Sequence, residues 1–160
     1  MNLDKQQIMN HVISELLETK EVLKRQTQET RQASIMAEGP MQSRYDSMKS
    51  EMDWLSHGLA LAGEKTRRYI EELQGLDLGT TDVVKAGAIV TVQYDGTEKS
   101  EVYFVIPGGS GIKKIGDDVE VTVIMPDSPI GKALLWKRTG DSFMAHVPVG
   151  EKSGIVKAVQ

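Results

Sequence analysis

The chain of 160 residues contains no cysteine. That excludes a disulfide scaffold, a cysteine nucleophile and thiolate metal ligands. Aromatic residues make up 5% of the sequence, with two tryptophans and two phenylalanines. Positive charge is not in excess: 19 Lys and Arg stand against 23 Asp and Glu, a formal net charge of -4. Broad phosphate neutralisation needs clustered cations, so this balance speaks against non-specific binding to nucleic acid, and no sequence-specific DNA binding is expected. No apolar run approaches the ~20 residues of a membrane span. The start, Met-Asn-Leu-Asp-Lys-Gln-Gln, lacks the apolar stretch of a signal peptide, and the expected location is cytoplasmic. The three histidines (His11, His57, His146) form no HExxH or i, i+4 pair, so no metal site of the chain's own is expected. No serine lies in a G-x-S-x-G context.

What is present divides the chain in two. The first 75 residues are rich in Glu, Gln, Lys, Leu and Met. The valines and most of the glycines follow. Tyr45, Met48, Met52, Leu55, Leu59, Ala62, Thr66, Tyr69 and Leu73 recur at steps of three and four. Met9, Val12, Leu16, Thr19 and Leu23 repeat that spacing upstream. Glu38-Gly39-Pro40 breaks the two runs apart. This pattern predicts an antiparallel two-helix coiled-coil hairpin over 1–75, with Asn2 as first N-cap and Gly75 as the stop. The linker is expected at 76–81 and a second domain at 82–160. There Val90/Val92/Tyr94, Val102/Phe104/Ile106, Val119 to Met125, Phe143/Ala145/Val147 and Ile155 to Val159 read as about five antiparallel strands. Ser128-Pro129 opens one short helix, expected to run to Trp136. The fold class is α+β. Pro107-Gly108-Gly109-Ser110-Gly111 lacks the Gly-Lys-Ser/Thr ending of a phosphate loop and reads as a hairpin loop.

The segment Pro126-Asp127-Ser128-Pro129-Ile130-Gly131-Lys132-Ala133-Leu134-Leu135, followed by Lys137-Arg138-Thr139-Gly140-Asp141, resembles the C-terminal domain of the Gre transcript-cleavage factors. The order of the halves, hairpin first and FKBP-like sheet domain second, is similar too. The resemblance implies binding to core RNA polymerase at the rim of its secondary channel. Asp127, Ser128, Pro129, Ile130, Gly131, Lys132 and Trp136 would serve as polymerase-binding residues. The hairpin would reach the active centre and promote hydrolysis of the 3′ end of backtracked RNA, a two-metal reaction. On this reading the chain has no complete active site. It lends tip carboxylates to a Mg2+ shared with the polymerase, and RNA is touched indirectly.

At the tip, Tyr45, Lys49 and Glu51 match the family pattern, and Glu38 falls where its first acid stands. Met41 falls where the second stands, and a thioether is a poor ligand for a hard cation. Asp46 has two readings, a second tip carboxylate or the return arm of a capping box from Ser43. Glu38 can likewise serve the reaction or simply favour the helix dipole. Lys24-Arg25 and Lys65, Arg67 and Arg68 read as solvated faces or as contacts to polymerase or RNA. The methionines at 36, 41, 48 and 52 read as gap-fillers or adaptable contacts. Trp136 reads as core or as an exposed anchor. Three further readings stay open: a non-cleaving or inhibitory homologue, an FKBP-like isomerase using Tyr94, Tyr103, Phe104, Trp136 and Phe143, and a plain structural coiled coil.

Overall fold

A computed structural model describes residues 3–36, 42–109, 111–115 and 119–160, with the side chains of 42–46 and 112–115 left out. Two long helices come first, α1 (Lys5–Met36) and α2 (Gln42–Gln74). The strands β1 (Ile89–Tyr94), β2 (Ser100–Val105), β3 (Gly111–Ile115) and β4 (Val119–Ile124) follow. A short helix α3 (Pro129–Leu134) precedes β5 (Ser142–Val147) and β6 (Gly150–Val159). The chain divides into two compact units. Met1–Val12 join Glu72–Gln160, and Ile13–Glu71 form the other.

Asp4 caps α1, not the expected Asn2, which lies outside the described residues. The Asp4 Oδ1 accepts from the backbone amides of Gln6 (3.0 Å) and Gln7 (3.2 Å), satisfying two donors of the open first turn.

Inside Ile13–Glu71 the seam of α2 is a heptad displaced from the predicted one. Met52, Leu59 and Thr66 face inward as expected, but Ser56, Gly63 and Ile70 take the alternate positions. The predicted Leu55 and Ala62 point to solvent. Ser56 is buried at the joint, Gly63 is half-buried with open space beside it, and polar groups link the two helices. Arg31 Nε donates to Ser56 Oγ (3.2 Å), and Ser34 Oγ donates to Asp53 Oδ1 (2.9 Å). Thr27, Thr30 and Thr66 return their hydroxyls to backbone carbonyls four residues back, which silences them as unpaired polar groups.

In the other unit six strands form one sheet in the order β3-β4-β2-β1-β6-β5. The expectation of about five antiparallel strands needs two corrections. β3 is an extra strand, because Gly-Ile-Lys-Lys-Ile lacks the two-residue alternation that announces one. The pair β2–β4 is parallel, because β3 occupies the outer edge and β4 runs beside β2 after the chain has turned back. α3 ends at Leu134, two residues short of the expected limit. The core comprises Val84, Val90, Val92, Tyr103, Val105, Leu134, Phe143 and Val156 among others. Alternate residues of the strands supply it, as half-buried sheets require. At the start of α1, Val12 lies over Gly109: a Cβ on that glycine would come 3.2 Å from a Val12 methyl.

Candidate polymerase-docking segment

The turn from Met125 to Asp141 is built by a few residues with separate jobs. Ser128 Oγ accepts from Gly131 N (3.0 Å) and donates to Met125 O (2.7 Å), so one hydroxyl closes the turn and caps α3. Pro129 occupies the first helical position, where its missing N–H costs nothing. Gly131 is obligatory for space: a Cβ there would stand 2.1 Å from the Met125 carbonyl oxygen. Leu134 is buried beneath, and Ile130 is half-buried against the same core. Further on, Gly140 adopts φ 93°, and Asp141 Oδ2 accepts from Arg138 N at 2.7 Å. Much of the motif is therefore scaffold.

The scaffold presents Asp127, Pro129, Lys132 and Trp136 to solvent. Trp136 is 75% exposed and has φ 68°, the left-handed region that bulky residues avoid. Its backbone is held there from both sides. Trp136 N donates to Val84 O (2.8 Å), and Val84 N donates to Lys137 O (2.8 Å). Glycine would take this conformation more cheaply. A costly backbone conformation is thus retained at an exposed indole. The two readings of Trp136 thus resolve in favour of the exposed one. The positive φ was not foreseeable, because it follows from the bridge of Val83 to Arg138.

The remaining aromatics do other work. Tyr103, Phe104 and Phe143 are buried, and Tyr94 packs edge-on to Phe143 with ring centroids 5.7 Å apart. Tyr103 Oη donates to Glu101 Oε2 (2.5 Å) and meets Tyr94 Oη at 2.6 Å. Burial, then these hydrogen bonds, hold the Tyr103 phenol well above the ordinary tyrosine range. These rings are core and its margin, not the wall of an open aromatic pocket.

Sequence reasoning missed Lys5. It is buried, and its ammonium donates to Leu78 O (3.3 Å) and Gly79 O (3.1 Å). Burial lowers its pKa, partly offset by Asp77.

On the hairpin unit, Lys20, Lys24, Arg31 and Arg67 border a groove of about 320 Å³ floored by Leu23, Leu59, Ala60 and Gly63. Arg67 is engaged by Glu64 and Glu71, and Arg68 by Glu64 at 3.5 Å. The hydrogen bond from Arg67 is the main reason that the Glu64 carboxyl lies below its usual range. Of the expected tip acids, Glu38 lies outside the described residues, as does Met41. Asp46 falls in the first turns of α2, but its side chain is not described, nor is that of Ser43. Among the described residues no three His, Asp or Glu gather as a metal site, and no helix is long and apolar enough to cross a membrane.

The molecule thus belongs to a class in which a long helical hairpin precedes a small sheet domain that carries a rigid, outward-facing Ser-Pro turn. Residues 79–160 match the family model described as transcription elongation factor, GreA/GreB, C-terminal. The chain belongs to the GreA/GreB family. It is 33% identical over 108 residues to a protein of Streptococcus pneumoniae serotype 4 named transcription elongation factor GreA. That match takes in 68% of this chain and 62% of the relative, so less than two thirds of the relative's length is spanned. A GreA of Streptococcus sanguinis is 32% identical over the same length. Among solved structures, Thermus aquaticus Gfh1 is similar at 21% identity and TM-score 0.41, with 94% of this chain and 92% of that one covered.

Proposed function

We propose that this protein is a transcription elongation factor that binds bacterial core RNA polymerase in the cytoplasm. Membership of the GreA/GreB family supports this, as do the names of the streptococcal relatives. The observation that carries the docking assignment is Trp136, an exposed indole held in a costly backbone conformation beside the Ser128-Pro129 turn. An indole on a rigid frame is a strong interface anchor, since little side-chain freedom is lost on contact. Asp127, Pro129 and Lys132 would form its polar surround.

The hairpin would enter the secondary channel and act on the active centre. Glu38 and Asp46 would supply the oxygen donors that a hard Mg2+ accepts, whereas Met41 would not. A metal held between such acids and the polymerase would support hydrolysis of backtracked RNA. With Met41 at the second acid position, a modulating factor that does not cleave is the second reading. The groove cations Lys20, Lys24 and Arg31 would face polymerase or RNA.

Two assays test this. Capture of purified core RNA polymerase by the full chain is expected, and its failure removes the proposal. On stalled, backtracked complexes, RNA cleavage that drops in Glu38→Ala or Asp46→Ala assigns the acid concerned. Cleavage by the wild type that neither change affects takes both acids out of the mechanism. Binding without any cleavage favours the modulating reading.

A further inference from the structure

The outer face of α2 carries a second pattern, about 120° round the helix from the buried seam and centred on Gly58. Read outward from Gly58, three residues away in each direction stand Leu55 and Leu61. Four away stand Trp54 and Ala62, and seven away stand Glu51 and Lys65. Leu55, Leu61 and Trp54 are 57%, 58% and 78% exposed, an unusual density of large apolar groups on one helix face. A Cβ at Gly58 would meet nothing within 4 Å, so the centre is open.

A stripe with this symmetry has a natural partner. In an antiparallel pairing of two such helices about Gly58, each position stands level with its counterpart on the other side of the centre, and each edge of the stripe faces the same edge of the partner. Leu55 then packs beside Ala62, and Trp54 beside Leu61. Glu51 meets Lys65, and because the contact is made twice, two opposite-charge pairs flank the apolar middle. Acid on one side and base on the other is the arrangement that flanking charges of coiled coils use to set orientation. A parallel pairing would instead oppose Glu51 to Glu51 and Lys65 to Lys65. The face is therefore self-complementary in one sense only, which is the property of an isologous two-fold interface.

We propose that this face of α2 is a self-association surface, and that a second copy of this chain docks on it antiparallel, crossing at Gly58.

Sedimentation velocity of the full chain over a range of concentrations tests it, with far-UV circular dichroism to confirm that each variant is folded. The wild type is expected to shift from monomer to dimer as concentration rises. Leu55→Asp should weaken dimerisation at least about tenfold. Glu51→Lys and Lys65→Glu should each weaken it, since each opposes like charges twice. A mixture of those two variants should associate more tightly than either alone, and raised salt should erase that gain. A wild type that stays monomeric throughout overturns the proposal. So does a dimer that Leu55→Asp leaves intact, or single charge variants whose mixture gains nothing.

Discussion

The two units bury opposite kinds of residue. In the sheet unit the fully buried side chains are Phe104, Leu73, Ile106, Leu134 and a set of valines. Among the described residues of Ile13–Glu71, Ser34, Ser56 and Thr66 are buried, with Ile70. Apolar burial stabilises at roughly 25 cal/mol per Å², whereas a typical hydrogen bond nets only about 1 kcal/mol. The sheet unit is therefore a stiff holder and the hairpin a softer probe. The difference suits the proposed division of labour: a docking turn must keep its shape, and a helical pair that reaches into a partner needs register more than depth of core. Ser34 and Ser56 fix register through partners on the opposite helix, while the threonines are satisfied within their own.

The largest blow to this contrast comes from the core. Phe104→Ala is expected to cost about 3–5 kcal/mol and to unfold the sheet unit first in thermal or denaturant melts. A cost under 1 kcal/mol would mean that the sheet unit is not the stiff half. Gly131→Ala comes next, at about 1–3 kcal/mol, because its Cβ must displace the Met125 carbonyl. This change acts on α3 and its turn, so polymerase binding should fall further than stability does. Unaltered binding would show that the turn is not the docking element.

Smaller effects sharpen the other side of the contrast. Ser34→Ala removes the bond to Asp53 and is expected to cost about 0.5–1.5 kcal/mol. The loss should appear as faster amide exchange in the hairpin with the sheet unchanged. Equal loosening of both units would make them one cooperative block. The smallest effect is at alkaline pH. Tyr103 is held neutral in the folded state, with its pKa raised above the ordinary value near 10. Its contribution is therefore full below about pH 10 and lost as pH climbs above that, because the unfolded chain gives up the proton first. Tyr103→Phe should flatten the alkaline limb of the stability profile, measured by denaturant midpoints. An unchanged limb would assign it to other groups.

The sequence told most where one residue type could do only one thing. Pro129 after Ser128 announced α3 and its cap, and alternating valines announced β1, β2 and β4. It told less where two faces compete. Leu55 and Ala62 fit a heptad as well as Ser56 and Gly63 do, and hydrophobicity favours the wrong pair. The structure turns Ser56 inward, where Arg31 binds its hydroxyl. The helix cap moved from Asn2 to Asp4 for a similar reason, since both residues can cap and only geometry selects. β3 escaped notice because its lysines interrupt any alternation. In the site, the resemblance of residues 126–141 to the Gre pattern singled out the turn proposed for docking, but Trp136 could not be placed until its φ was known.

The central claim is that Trp136 is kept in its strained conformation for a partner. Trp136→Gly separates the two consequences, since glycine relaxes the backbone while removing the indole. We predict that the variant is at least as stable as the wild type and yet binds core RNA polymerase at least about tenfold more weakly in a direct titration. Equal affinity in a folded variant would contradict the account.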